Sequence, residues 1–234
     1  MAARLATGRR LCVLERGKEW APGDFAVGLA DTLAQFRSSA KPDGLFDYRI
    51  GATVDVLSGN GIGGTSLINC GVVLAPDRDV FNRWPQAIQN RLRQRRDGRL
   101  RDTGTHHAGR RQRRRGRCPA QELVSPLERQ GTPAPGIAVT PRAMPIAVNL
   151  RRYRDAPNAQ GVWQAACTGC GDCVTGCRVG AKNTLDVNYL PLARSAGAEI
   201  FSRMEVDWIE RLPDGRWRLH VLYRADGGAT VQRR

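Results

Sequence analysis

The chain has 234 residues, 41% of them hydrophobic, enough for one ordinary domain or two small ones with a real core. It has no run of ~18 apolar residues, and its opening, MAARLATGRRLCVLERG, lacks the apolar stretch and cleavage site of a secretory leader. These features argue against a membrane span and make a cytoplasmic protein the expectation. The formal net charge of +15 would suggest nucleic acid or an anionic surface, but most of the excess sits in one run, Arg91 to Arg117, which sets twelve arginines against Asp97 and Asp102.

In chain order, MAARLAT reads as the last turns of a helix stopped by Gly8, followed by a short apolar strand that ends at Glu15. A helix feeding a strand that closes on an acid is the second half of a dinucleotide-binding unit, so the first strand and its glycine turn are expected to lie before Met1. A helix is expected near Ala26 to Phe36 and a turn at Lys41-Pro42-Asp43-Gly44. Ala52 to Ser58 alternates like a strand, GNGIGGTS is a glycine-rich turn, and Ser66 to Leu74 reads as the start of a buried helix.

The Arg-rich run contains no lysine and no period of 2 or 3.6, so it cannot bury a face and is expected to be disordered. Pro126 to Pro145 reads as loop, with short strands expected in IAVTP and MPIAVNL. Leu185 to Ala196 reads as a helix interrupted by Pro191 and stopped by Gly197. Glu199 to Arg211, a turn at Pro213-Asp214-Gly215 and Arg216 to Arg224 form a hairpin, with Trp217, Leu219, Val221 and Tyr223 alternating. The tail ADGGATVQRR supplies no closing element. The division expected is 1–89, a basic insert at 90–130, a fragment at 131–160, and a cysteine-rich loop, helix and hairpin at 161–234.

Two motifs carry chemistry. Gly59, Gly61 and Gly64 satisfy G-x-G-x-x-G between a strand and a helix, where backbone N–H groups can cradle a diphosphate; the same glycines also suit a tight turn with no ligand. Cys167, Cys170, Cys173 and Cys177 have the C-x2-C-x2-C-x3-C spacing of an iron–sulfur loop, although Arg178 stands where ferredoxins place proline. Zinc and a reduced structural loop are the other readings. A further ligand for a cluster would have to come from Cys12, Cys70 or Cys118.

GNGIGGTSLIN and the earlier VLERG together resemble the glucose-methanol-choline (GMC) oxidoreductases, in particular their bacterial cholesterol-oxidase-like branch. CTGCGDCVTGCRVGAKNTLDVNYLPLARSAGAEIF is similar to a further segment of the same branch. The likeness covers Met1 to Ile88 and Gln164 to Val221. It implies an α/β fold: part of a Rossmann-type FAD-binding domain with fragments of a substrate domain. It implies FAD as cofactor, Glu15 on the adenosine ribose, and a second glycine loop (Gly59, Gly61, Gly63, Gly64, Thr65, Asn69) against the diphosphate and flavin, with Val206 beside the adenine.

The family oxidises the CH–OH group of an alcohol or sterol by hydride transfer to flavin, with a histidine near the C-terminus as acid–base. His106, His107 and His220 do not match that position, so no catalytic residue is assigned and little turnover is expected from this chain alone. Around Asn90 to Gln130 the likeness breaks, as a shifted reading frame in GC-rich coding sequence would produce. Two rival readings stand beside this one: an iron–sulfur electron carrier through Cys167 to Cys177, and nucleic-acid binding through the Arg-rich run.

Overall fold

A computed structural model describes residues 1–74, 78–94, 146–150, 156–225 and 230–233. The Arg-rich run from 95 onward, with His106, His107 and Cys118, lies outside the described residues, as does the strand expected in IAVTP.

The N-terminal element is a single helical turn, α1 (Ala2–Leu5), followed by Gly8 at φ 70° and then β1 (Leu11–Leu14). Alanine-rich sequence favours the helix, and glycine accepts the left-handed backbone that ends it. β1 pairs in parallel with β6 (Ala198–Phe201), Leu11 opposite Ala198 and Leu14 opposite Phe201. The helix before β6, here α5 (Tyr189–Ser195), is capped by Asn188, whose side chain accepts the Tyr189 N–H. Pro191 does not interrupt this helix, contrary to expectation. It sits in the first turn, where a backbone N–H would have no intrahelical partner in any case. Ala6, Ala193 and Ala198 are all buried together, so α1, α5 and β6 close on small side chains.

The segment expected as one strand from Glu199 to Arg211 is two. Ser202 and Arg203 break it, Arg203 adopting φ 58°, and the chain leaves β6 to enter β7 (Met204–Arg211). β7 pairs antiparallel with β8 (Trp217–Arg224) in the expected hairpin, with a bulge between Val206 and Trp208. The tail supplies a third strand after all: β9 (Thr230–Arg233) pairs with β8, Leu222 opposite Gln232.

Between β1 and the glycine-rich turn lie α2 (Gly28–Ala34) and an antiparallel pair, β2 (Phe46–Arg49) with β3 (Val56–Gly59). The alternation of Ala52 to Ser58 marks only β3; β2 is an addition. Trp20, Phe25, Leu45, Phe46, Leu67 and Ile68 form the main core, with Phe36 packed against it. Stacked pairs Trp20–Phe25 and Phe36–Phe46, centroids 5.9 and 5.3 Å apart, fix its aromatic geometry.

The helix expected from Ser66 to Leu74 does not form. A 3-10 turn at Gly64–Leu67 is followed by Gly71 at φ 71° and a bridge from Val72 to Ile146. Gly71 lies in the left-handed region and the β-branched pair Val72-Val73 disfavours helix, so the chain turns away. Beyond it lie α3 (Arg78–Asn82), α4 (Gln86–Gln94) and a short pair, β4 (Ala156–Pro157) with β5 (Trp163–Gln164). Val148 bridges to Lys182, drawing the residues after the basic run onto the cysteine-rich loop.

Candidate functional site

The chain after β1 turns sharply at Glu15, Arg16 and Gly17 and runs against the glycine-rich loop. A Cβ on Gly17 would lie 2.3 Å from the Gly61 backbone nitrogen, so the two segments touch at a distance only glycine permits. The contact is fastened by hydrogen bonds: Ile62 N–H donates to Lys18 O at 3.0 Å and Trp20 Nε1–H to Asn60 O at 2.9 Å. Glu15 accepts the Gly17 N–H at 2.8 Å. Burial raises the Glu15 carboxyl above its usual value; the backbone N–H groups of Gly17 and Gly61 and the Arg16 charge oppose the shift. On the other side of the turn, Met204 N–H donates to Glu15 O at 2.8 Å and Arg203 N–H to Gly17 O at 2.9 Å. The start of β7, and with it half-exposed Val206, is thereby brought to the end of β1.

The loop itself divides into an inner and an outer face. Gly61 and Gly63 are buried: a Cβ on Gly61 would strike the Trp20 ring at 2.4 Å, and one on Gly63 would meet Asp186 Oδ1 at 3.0 Å. A Cβ on Gly59 would lie 2.5 Å from Gly64 O, closing the loop on itself. Gly64 differs. It has φ 57°, and open space lies where a Cβ would project. Thr65 and Asn69 are exposed beside it. Thr65 Oγ1 accepts the Gly59 N–H at 3.3 Å and Asn69 Oδ1 the Gly71 N–H at 3.0 Å, so both side chains also shape the loop. The outer face is a shallow cradle of backbone at Gly64, Thr65 and Asn69. The single 3-10 turn behind it gives little helix dipole.

Asn60, fully buried at 0% exposure, centres the inner face. Its Oδ1 accepts from Arg16 Nε at 3.0 Å, and its Nδ2 donates to Gly44 O at 2.9 Å and Pro42 O at 3.3 Å. Arg16 also pairs with buried Asp47 at 2.7 Å, and Arg49 does so at 3.1 Å. Burial pushes the Asp47 carboxyl upward, but the two guanidinium groups outweigh it and hold the group below its ordinary value.

The 3-10 turn Leu185–Val187 docks on the glycine loop: Leu185 N–H donates to Ser66 Oγ at 2.9 Å, and Ser66 Oγ–H to Gly63 O at 2.6 Å. It sets Asp186 beneath Gly63. Asp186 Oδ1 is buried without a hydrogen-bond partner, and burial raises its carboxyl, with Thr184 and Lys182 opposing and Glu19 reinforcing.

Lys182 was not among the residues picked out by motif. It is 3% exposed, and its Nζ donates to three carbonyls, Leu67 O at 3.1 Å, Asn69 O at 2.5 Å and Cys173 O at 2.9 Å. Burial draws its ammonium down to about 8 against the opposing pull of Cys173, Cys177, Cys70 and Asp186. One signal was available: Lys182 is one of three lysines in a chain whose basic charge is otherwise arginine.

The four cysteines of the run do not form a ligand set. Among the described residues no three His, Cys, Asp or Glu side chains close on a common metal-sized point. Cys177 Sγ instead accepts backbone N–H groups of Ala181 and Lys182 at 3.2 and 3.3 Å. Gly169, Gly171 and Gly176, all at positive φ, wind the loop in successive turns. None of Cys167, Cys170, Cys173 and Cys177 is in a disulfide, and among the described residues their arrangement does not fit an iron–sulfur cluster or zinc. His220, the one histidine among the described residues, stacks on Trp208 at 3.6 Å between centroids and bonds Glu210 at 3.2 Å.

A short parallel strand pair ending in an acid, closed against a glycine-rich loop, makes this a mixed α/β protein of small sheets. The family profile described as GMC oxidoreductase matches residues 44–216, most of the chain, and the chain belongs to that family. It is 28% identical over 217 residues to a cholesterol oxidase of Acinetobacter baumannii, covering 85% of this chain and 36% of the relative. A cholesterol oxidase of Mycobacterium tuberculosis is 48% identical over 62 residues, 26% of this chain and 11% of that protein. A GMC-type oxidoreductase of the same organism is 28% identical over 214 residues, 86% of this chain and 29% of its own length. The chain thus spans about a third of the relatives it matches along most of its length. Among the described residues no helix is long and apolar enough to cross a membrane.

Proposed function

We propose that this chain carries the flavin-loop region of an FAD-dependent oxidoreductase acting on the CH–OH group of an alcohol or sterol. The observation that carries the reading is the closure of the glycine loop on the Glu15–Gly17 turn, with an open backbone cradle at Gly64 on its outer side. Glu15, held by the Gly17 N–H, would accept from the adenosine ribose, and Val206 at the start of β7 would lie beside the adenine. Gly59, Gly61, Gly63 and Gly64 give the loop its close approach, and Thr65 and Asn69 would face the diphosphate and flavin. FAD, when bound, supplies the hydride acceptor, and the chain supplies orientation and electrostatics.

Little turnover is expected from these residues alone, because His220 lies in the hairpin against Trp208 and Glu210 and matches no catalytic position of the family. The test is a visible absorption spectrum of the purified chain after incubation with FAD and gel filtration. Co-eluting flavin with a perturbed absorption band supports the reading; complete loss of flavin at FAD concentrations well above those of the protein rejects it. Rapid turnover of a sterol would overturn the expectation of low activity and leave the cofactor assignment standing.

A further inference from the structure

The cysteine-rich turn has the spacing of a ligand loop and the geometry of something else. Lys182 ties it to the end of the glycine loop. The ammonium bridges two segments more than a hundred residues apart in sequence, Leu67 and Asn69 on one side and Cys173 on the other. The lysine's own backbone is fixed independently at three points. Its N–H and that of Ala181 donate to Cys177 Sγ, its carbonyl accepts from buried Gln164 Nε2 at 3.2 Å, and it bridges to Val148. Three donors meet three carbonyls, so the ammonium is fully satisfied where water cannot reach. N–H donors of this kind on the Leu67 and Asn69 carbonyls fix two peptide planes at the end of the outer cradle.

We propose that Lys182 is the positioning residue of the flavin loop and that the Cys173–Cys177 turn is its buttress, with Cys177 acting as a hydrogen-bond acceptor. This rests on the FAD reading for its functional consequence, but not for its structural content. Leu67, Asn69 and Cys173 carbonyls would each lose their donor in Lys182→Met, a side chain of similar length without hydrogen bonds. The loop would then sample other conformations, and a cofactor laid on it would bind more weakly by about tenfold or more, as expected for hydrogen bonds from a charged donor.

Two measurements on the full chain test this. Amide hydrogen exchange without FAD, comparing the unaltered chain with Lys182→Met, is expected to show faster exchange at residues 60–71 and 173–177 and unchanged exchange in the β7–β8 hairpin. A uniform rise everywhere would mark a merely structural role, and no rise at the loop would overturn the proposal. FAD titration by flavin fluorescence and visible circular dichroism is expected to show weaker binding and an altered flavin dichroism at saturation.

Should Lys182→Met fail to fold, the cysteine pair decides. Cys177→Ser keeps an acceptor and should retain loop protection, whereas Cys177→Ala should lose it; identical exchange in the two overturns the buttress. Loop exchange that responds as expected in a chain that binds no FAD would reject the FAD reading and leave the positioning role intact.

Discussion

Around the glycine loop, single buried polar side chains do what ladders of backbone bonds do in the β7–β8–β9 sheet. Asn60 joins Arg16, Pro42 and Gly44 at one point, and Lys182 joins Leu67, Asn69 and Cys173 at another. In the sheet, seven residue pairs from Met204–Tyr223 to Arg211–Trp217 share the load, and Trp208, Ile209, Trp217 and Leu219 stand exposed on it. A region built on few, fully satisfied, desolvated groups is accurate and brittle, because each lost partner strands others in a place without water. A ladder loses one rung at a time.

The sharpest way to break the loop region is Gly17→Ala. The added carbon would sit 2.3 Å from Gly61 N and 2.5 Å from Asn60 C, both backbone atoms that cannot rotate aside. The Glu15–Gly17 turn and the glycine loop would have to separate, at a cost of about 3 kcal/mol or more. Chemical unfolding monitored by Trp20 fluorescence should register it; a variant within ~1 kcal/mol of the unaltered chain would mean that the two segments are not in contact.

Asn60→Ala comes next. It strands the buried Gly44 carbonyl and removes the Arg16 Nε acceptor, while Pro42 O keeps its bond from Arg37 Nε, and it should cost about 2–3 kcal/mol by the same measurement. Asn60→Asp sharpens the comparison. It keeps the Arg16 bond but turns a donor into an acceptor facing two carbonyls, so it should rescue little.

Asp186→Asn should act in the opposite direction. The Asp186 carboxyl is raised above its unfolded value, chiefly by burial, so between those two values the folded chain binds the extra proton and stability falls as pH rises. Above the folded value the penalty is complete. Neighbouring Glu19 adds to it and Lys182 subtracts. The asparagine variant, free of this titration, should be more stable than the unaltered chain at neutral pH, with the gap closing as pH drops below the ordinary aspartate range. Thermal melts of both across pH 3 to 8 check the sign; a gap that widens in acid would reverse the assignment.

Which of these groups could be read from sequence follows from how local their signal is. Glu15 announces itself because an acid ends an apolar strand, and the loop because three glycines recur at fixed spacing. The parallel partner of β1 was not legible from the strand pattern alone, since Ala198–Phe201 and Met204–Arg211 run on as one strand-like stretch of mixed apolar and charged residues and only the backbone at Arg203 divides them. Asn60 looks like a turn residue between two glycines, and Lys182 like surface charge, until the fold buries them against segments far away in the chain. The cysteine run errs in the other direction. Spacing specifies which thiols could meet, whereas the described backbone brings no three of the ligand side chains to a metal-sized point.

The smallest effect expected is in the sheet. Trp208 stacks on His220 with rings 3.6 Å apart and nearly parallel at 7°, yet it remains 48% exposed. Half its surface already faces water, so Trp208→Ala removes a cross-strand ring contact but opens no cavity, and about 1 kcal/mol is the expected loss. The bulge at Val206/Trp208 limits the damage further, since the ladder on its N-terminal side, Met204 to Val206 against Val221 to Tyr223, is separately paired. That N-terminal part is also the part bonded to Glu15 and Gly17. FAD affinity should therefore be unchanged in Trp208→Ala, while Val206→Trp, on the far side of the bulge, should weaken it without a comparable loss of stability. Equal binding losses in the two variants would show that the hairpin and the loop region respond as a single unit, and would remove the contrast between them.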